Sequence, residues 1–331
     1  MLLRVQHETK LNYTNDVAET VFEVRMGPPS EEDQTCLGYR LRIAPSSPVT
    51  VYQDGFGNRV DLFNLYTPYR ELLIRATSVV RTHRTPGAPK LAEVAFDPES
   101  EEFQAVDAVE YRMPSKLVGR SPELDSFVES IPTPRGSLLD VVEQLMAATR
   151  SRLIYEKKVT TARTPVGEAL TLGRGVCQDF AHLFLGACRG FGLPARYVSG
   201  YIHEPGEIAT HAWCQVWAGR NGWVDVDPTR GEVVGDDYVR LALGRDYLDV
   251  PPNRGIYRGQ ADETITVAVK VEPISRMPSD WGEWSEGSEA PWSAASWIQS
   301  ERQAQRGRLN QMQSQNQALF RQQQSQQQQP G

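Results

Sequence analysis

Residues 173–231 have the sequence GRGVCQDFAHLFLGACRGFGLPARYVSGYIHEPGEIATHAWCQVWAGRNGWVDVDPTRG. Cys177 opens a helical pattern whose apolar positions are Phe180, Leu183, Phe184, Ala187, Cys188 and Phe191. Gly192 is placed to end this helix, and Pro194 prevents its continuation. A thiol in the first turn of a helix lies near free backbone N–H groups and the positive end of the helix dipole. The stretch therefore predicts a cysteine whose thiolate form is favoured.

Two alternating runs follow this helix and supply candidate partners for the thiol. His211 begins the run His-Ala-Trp-Cys-Gln-Val-Trp, and Asp227 lies near the end of the run Trp-Val-Asp-Val-Asp-Pro. Alternation of this kind predicts half-buried strands. A nucleophile at a helix N-terminus, with a base and an orienting carboxylate on neighbouring strands, is the arrangement of a Cys-His-Asp triad.

The length of the loop between the two strands decides whether the base can meet the carboxylate. If residues 218–222 form the loop, Trp217 pairs with Trp223 across an antiparallel ladder, and His211 becomes the diagonal neighbour of Asp227 on the same face. Diagonal neighbours lie roughly 7–8 Å apart, within reach of long side chains. A two-residue turn at the Asn-Gly dipeptide inside this loop would send the two side chains to opposite faces. We predict the longer loop, although Asn-Gly is a strong hairpin signal.

The same stretch closely resembles the bacterial branch of the transglutaminase-like superfamily. The matching blocks, in order, are Gly175–His182, Gly192–Tyr201, His211–Trp213 and Gly222–Thr229. The resemblance implies a papain-like core in which Cys177 is the nucleophile, His211 the general base and acid, and Asp227 the residue that orients the imidazole. It also implies an N-terminal β-domain, best matched by Asp54–Asn58, where we expect a tight turn with a positive φ.

The residues alone leave one competitor for the third role. Asp225 shares a strand face with Asp227, and alternation cannot separate the two. The resemblance favours Asp227, because the family places this carboxylate immediately before Pro-Thr.

Other side chains of the stretch are expected to have supporting roles. Cys188 and Cys214 are predicted to be packed small hydrophobes, and His182 to be a structural hydrogen-bonding residue. The backbone N–H of Cys177 is a candidate oxyanion donor. Tyr155 is the candidate second donor by analogy with some relatives, and Trp213 is a candidate wall of the site that excludes water.

Composition limits the function classes. The chain has 331 residues and a formal net charge of −7, with no long basic run, so nucleic acid is an unexpected partner. The N-terminus lacks the apolar core of a signal peptide, and no stretch of 18 apolar residues occurs. Four cysteines without a paired framework suit a reducing compartment. We expect a cytoplasmic protein with a protein or peptide substrate, no membrane contact, no cofactor and no metal; the sequence does not indicate an oligomeric state.

The chain is predicted to be an α+β protein with three structured or linking parts and a tail. These are an antiparallel N-terminal β-sandwich (1–85), a Pro-rich acidic linker (86–120), a papain-like catalytic core (121–275) and a disordered Ser/Trp-rich then Gln-rich tail (276–331). Within the core, Ser137 is predicted to cap a helix, residues 232–257 to be irregular, and Thr264–Val271 to form a final strand.

The chemistry that follows is acyl transfer through a thioester. Cys177 would attack a peptide or isopeptide carboxamide, and His211 would protonate the leaving amine. Resolution by water gives a peptidase or amidase, which we favour, and resolution by an amine gives a transglutaminase. A peptide-binding module that uses the same groove without turnover is the alternative from another class.

Overall fold

The computed structural model of the protein describes residues 1–204, 210–278 and 281. The strands within these residues are β1 (Leu2–Val24), β2 (Gln34–Ala44), β3 (Val49–Gln53), β4 (Arg59–Leu65), β5 (Tyr69–Thr82), β6 (Ile154–Tyr155), β7 (Arg174–Gly175), β8 (Ala195–Ile202), β9 (Thr210–Trp217), β10 (Trp223–Asp227), β11 (Glu232–Val233), β12 (Tyr238–Gly244), β13 (Asn253–Arg258) and β14 (Glu263–Pro273). The α-helices are α1 (Gly87–Ala92), α2 (Val106–Val109), α3 (Pro122–Ser130), α4 (Leu138–Arg152), α5 (Val166–Leu172) and α6 (Cys177–Gly190). Short 3₁₀ turns occur at Glu110–Arg112, Gly219–Asn221 and Tyr247–Asp249.

The N-terminal domain is a curled antiparallel sheet organised around the long strand β1. The first half of β1 pairs with β5 and β14, and its second half pairs with β4 and β13. Register shifts between Asn12 and Val17 and between Ala18 and Val21 mark the place where the strand curls. β1 therefore belongs to both halves of the sheet, so the predicted pair of sandwich sheets is one continuous sheet.

The α+β class is confirmed, but the β-domain is not confined to residues 1–85. Thr264–Val271 was predicted to close the catalytic core, whereas β14 runs along β1, with Val5 opposite Val271. β13 joins the other half of β1 in the same way. The sequence of a short apolar strand does not indicate which strand it pairs with, because pairing depends on packing against residues far away in the chain. Apart from 276–278 and Trp281, which packs over the Arg40 guanidinium, the predicted tail lies outside the described residues.

The segment predicted as a linker is packed into the core. It contains α1 and α2, and Leu91, Phe103 and Leu117 are almost fully buried. Its prolines and acidic residues fill the exposed positions between these buried side chains, which is why its average composition resembles that of a linker.

The second domain combines a sheet of order β11-β10-β9-β8-β12 with helices on one face. α6 lies against β8 and β9, and α3, α4 and α5 contact α6. The predicted helix after Ser137 is α4: the Ser137 hydroxyl accepts a hydrogen bond from the Asp140 N–H, and the Asp140 carboxylate accepts one from the Ser137 N–H. Its apolar face packs into the core.

Strand β12 lies where irregular structure was predicted. Every residue from Tyr238 to Gly244 is buried, so the strand lacks the alternation by which a half-buried strand is found. Its outer edge is covered by two side-chain amides of the β-domain. Gln34 exchanges hydrogen bonds with the backbone of Arg240, and Asn58 does so with the backbone of Leu243. These amides replace a neighbouring strand and attach the β-domain to the sheet that carries the site.

The turn before Asn58 has the predicted conformation. Gly57 has a φ of +79°, and the Asp54 carboxylate accepts hydrogen bonds from the N–H groups of Phe56 and Asn58. The turn thereby aims the Asn58 amide at β12.

Candidate active site

Cys177 is the first residue of α6, as its sequence position predicts. The helix begins there because the Asp179 carboxylate folds back and accepts a hydrogen bond from the Val176 N–H at 2.7 Å. Gly175 makes this possible, since a Cβ on it would lie 2.5 Å from Asp179 Cβ. The thiol is therefore held at a helix start whose own N–H groups lack intrahelical partners.

The predicted strand register is confirmed. Trp217 pairs with Trp223, and the connection spans residues 218–222. As a result the His211 and Asp227 side chains lie on the same face, and His211 Nε2 hydrogen-bonds Asp227 Oδ2 at 2.6 Å. Because an imidazole has two nitrogens, this bond leaves Nδ1 for Cys177.

Asp227 is fully buried, and its carboxylate is saturated with donors from the described residues. Oδ2 accepts from His211 and from the Tyr238 hydroxyl at 2.7 Å. Oδ1 accepts from the backbone N–H groups of Thr229 and Arg230. Burial would raise the pKa of Asp227, but the bond and charge of His211, together with the Tyr238 hydroxyl, lower it below its usual value. The carboxylate is thus held ionised and in one orientation.

Tyr238 is a site residue that the sequence analysis did not identify. It lies at the start of β12 with its ring centre 5.9 Å from that of His211. It was not identified because the sequence analysis did not predict strand β12. The signal that could have indicated it is a hydroxyl-bearing residue at the start of a largely apolar run.

The electrostatics favour a protonated His211. Burial alone lowers the pKa of this ring, but hydrogen bonds with Asp227 and Cys177, and the charges of both, raise it from 6.5 to about 10. The imidazole therefore keeps its proton at neutral pH and can stabilise a thiolate beside it.

Asp225, the competitor for the third role, belongs to a different network. It accepts hydrogen bonds from Trp213 Nε1 at 2.6 Å and Gln215 Nε2 at 2.9 Å, and it forms an ion pair with Arg84 at 3.0 Å. Burial would raise the pKa of Asp225, but the charges of Arg84 and Arg240 lower it. Asp225 therefore holds the side chains of Trp213 and Gln215 on β9 in place, whereas the His211 ring bonds Asp227.

The two residues proposed as site wall and second donor lie close to the predicted triad. Trp213 is fully buried and stacks on His211 with ring centres 6.3 Å apart. The indole N–H of Trp213 donates a hydrogen bond to Asp225. Tyr155 is half exposed on β6 and pairs with Gly175, two residues before Cys177. The roles of Trp213 as a wall and of Tyr155 as a donor stay predictions.

The other three thiols of the described chain differ from Cys177 in their surroundings. Burial raises the pKa of Cys36, Cys188 and Cys214, and the last two are fully buried. His182 accepts a hydrogen bond from the Tyr247 N–H through Nε2, and burial lowers the pKa of this ring to about 4. These observations fit the structural roles predicted for Cys188, Cys214 and His182.

The fold defines a protein of the transglutaminase-like class, and comparison with known proteins identifies the family. Residues 125–228 match the model of the transglutaminase-like superfamily, and residues 3–81 match that of the bacterial transglutaminase-like N-terminal region. The chain belongs to this superfamily.

Its relatives include uncharacterised proteins and one enzyme. A protein of Mycobacterium leprae is 32% identical over 82% of this chain and 99% of its own length. A protein-glutamine gamma-glutamyltransferase of Pseudomonas aeruginosa is 29% identical over 26% of this chain and 16% of its own. A crystal structure from Cytophaga hutchinsonii, described as a candidate cysteine protease, shares the fold, with a TM-score of 0.67, 21% identity and coverage of 84% of this chain and 93% of that one.

Two further features of the described residues concern membranes and metal ions. None of their helices has the length and apolar character needed to cross a bilayer. No cluster of three or more His, Cys, Asp or Glu side chains suited to a metal ion occurs among them.

Proposed function

We propose that this protein is a thiol enzyme that cleaves peptide or isopeptide carboxamides, with Cys177 as nucleophile, His211 as acid and base, and Asp227 as the orienting carboxylate. The observation that carries the proposal is the 2.6 Å bond between His211 and a buried, ionised Asp227, on a ring whose other nitrogen is left for the thiol of α6.

The proposed reaction has two halves. The Cys177 thiolate attacks the carbonyl carbon, and the C–N bond breaks as His211 gives its proton to the leaving nitrogen, which leaves a thioester. Water then attacks the thioester carbonyl and passes a proton to His211, and the C–S bond breaks to release a carboxylic acid and the thiolate. The Cys177 N–H at the helix start supports the oxyanion, and we propose the Tyr155 hydroxyl as the second donor.

Selective alkylation tests the thiol before any substrate is known. Iodoacetamide near neutral pH should label Cys177 and spare Cys36, Cys188 and Cys214, because burial raises the pKa of these three. Peptide mapping by mass spectrometry locates the label. His211→Ala should slow the labelling, and labelling of all four cysteines at similar rates would refute an activated thiol.

Amine transfer is the second candidate, favoured by the similarity to the Pseudomonas aeruginosa gamma-glutamyltransferase. Incubation with a glutamine-containing peptide and a labelled primary amine separates the two. Ammonia release without incorporation supports hydrolysis, and incorporation supports transfer. If a range of carboxamide peptides gives neither ammonia nor cleaved peptide, with or without the amine, the result would favour a peptide-binding module.

A further inference from the structure

A cavity of about 670 Å³ lies between the two domains, a size typical of ligand sites. Leu11, Phe22 and Tyr257 of the β-domain sheet form one side, and Leu117 and Tyr247 of the core form the other. The cavity therefore exists only because the β-domain is attached to the catalytic core.

The charges around this cavity are unbalanced. Lys116, Arg163 and Arg254 line it, and Glu263 is the only carboxylate among its described lining residues. None of the three cations takes part in an ion pair within the described part of the chain, whereas Arg84 and Arg240 beside Asp225 each do. The excess is local, since the whole protein carries a net charge of −7. Such a site attracts carboxylates that the rest of the surface repels.

Two contacts connect the cavity to the helix that carries Cys177. The Tyr247 N–H hydrogen-bonds His182, five residues along α6 from the thiol, which is a rise of about 7.5 Å. The segment that contributes Ala162 and Arg163 begins at Thr160, whose hydroxyl donates to Asp179 in the first turn of the same helix. Both contacts lie in the first two turns of α6, at the end of the helix that carries Cys177.

We propose that the cavity between the domains binds the acidic part of a peptide substrate a few residues from the carboxamide that Cys177 attacks. Glutamate or aspartate side chains pair with Lys116, Arg163 and Arg254, and the apolar and aromatic walls pack against the peptide stem. This assignment rests on the proposed function, which it extends from a type of bond to a class of substrate.

Binding is measured on the full-length Cys177→Ala protein, so that turnover plays no part. Rhodamine-labelled hexaglutamate is titrated at low ionic strength and followed by fluorescence anisotropy, with the glutamine hexapeptide as the neutral control. The combined variant Lys116→Ser, Arg163→Ser, Arg254→Ser should weaken hexaglutamate binding about tenfold or more. The matched control Arg81→Ser, Arg135→Ser, Arg220→Ser removes the same charge from exposed positions elsewhere and should leave the affinity unchanged.

Equal affinity for the two peptides, or equal weakening by both triple variants, would overturn the proposal that the cationic cavity binds acidic peptides. Circular dichroism melting of each variant, and the single variant Arg254→Gln, separate a loss of affinity from a loss of fold.

A second readout connects the cavity to the thiol. Saturating hexaglutamate should slow iodoacetamide labelling of Cys177 in the unaltered protein, because the bound peptide covers the path to the thiol. Binding without protection would overturn the assignment as a substrate site. If instead Cys177 proves unreactive while hexaglutamate still binds, the proposed function fails. The cavity then stands as a cationic site for acidic peptides.

Discussion

Asp225 and Asp227 lie two residues apart on one face of β10, yet their surroundings have opposite chemical consequences. The carboxylate of Asp225 is held by the permanent cations Arg84 and Arg240, whose side chains are 5% and 4% exposed. The carboxylate of Asp227 is held by an imidazole and a hydroxyl. Both pKa values are lowered, but the partner of Asp227 is an imidazole that can give up its proton, with a pKa of about 10, whereas the guanidinium partners of Asp225 stay charged. The partners, rather than the residue type, separate a structural carboxylate from one suited to catalysis.

The largest effect is expected from a substitution at Asp227, the carboxylate that bonds the catalytic imidazole of the proposed triad. Asp227→Asn removes the charge that keeps His211 protonated and oriented, so kcat/KM for carboxamide cleavage should fall about a thousandfold. The rate of Cys177 alkylation near pH 6 should fall with it, which can be measured without a substrate. Melting curves show whether the variant is folded, and a folded variant with unchanged alkylation would remove Asp227 from the triad.

The corresponding substitution at Asp225 should reduce the stability of the protein rather than its activity. Asp225→Asn leaves the buried guanidinium of Arg84 with one carboxylate fewer, so the free energy of unfolding should fall by about 3 kcal/mol. Urea denaturation measures the loss. Cys177 in the folded fraction should keep its alkylation rate, and the reverse pattern would exchange the roles of the two carboxylates.

The pH dependence of stability sharpens the contrast further. Below pH 6.5 both the folded and unfolded states hold the His211 proton, so its stabilisation is complete. Between about 6.5 and 10 only the folded state holds it, so stability falls as pH rises, by at most about 1.4 kcal/mol per pH unit. His211→Gln should remove this part of the slope in urea titrations, and an identical slope in the variant would contradict the raised pKa.

The smallest effect is expected at Tyr238, which we predict to be a positioning residue. Tyr238→Phe deletes one of the donors to Asp227, so kcat should fall about threefold to tenfold with little change in KM. The pH profile of Cys177 alkylation should shift as well, because the carboxylate is less well held. Tyr201→Phe is the matched control: this buried tyrosine bonds His7 and not Asp227, and an equal loss there would indicate a general packing effect.

Much of the site could be predicted because it depends on local rules. The start of α6 at Cys177 follows from helix spacing, and the meeting of His211 with Asp227 follows from the parity of a five-residue loop. Tyr238 could not be predicted in this way. Its strand is buried on both faces, and its hydroxyl meets Asp227 only because β12 closes the far edge of the sheet.

The sequence by itself determined the α+β class, the helix that presents the thiol, and the face that His211 shares with both carboxylates. Only the tertiary structure decided which carboxylate meets the imidazole, that β13 and β14 return to the N-terminal sheet, and that a cationic cavity forms between the domains. The physical reason is range: helix and strand periods act between near neighbours in the chain. Charge pairing and strand pairing join residues such as Arg84 and Asp225, which are far apart in sequence and meet only after folding.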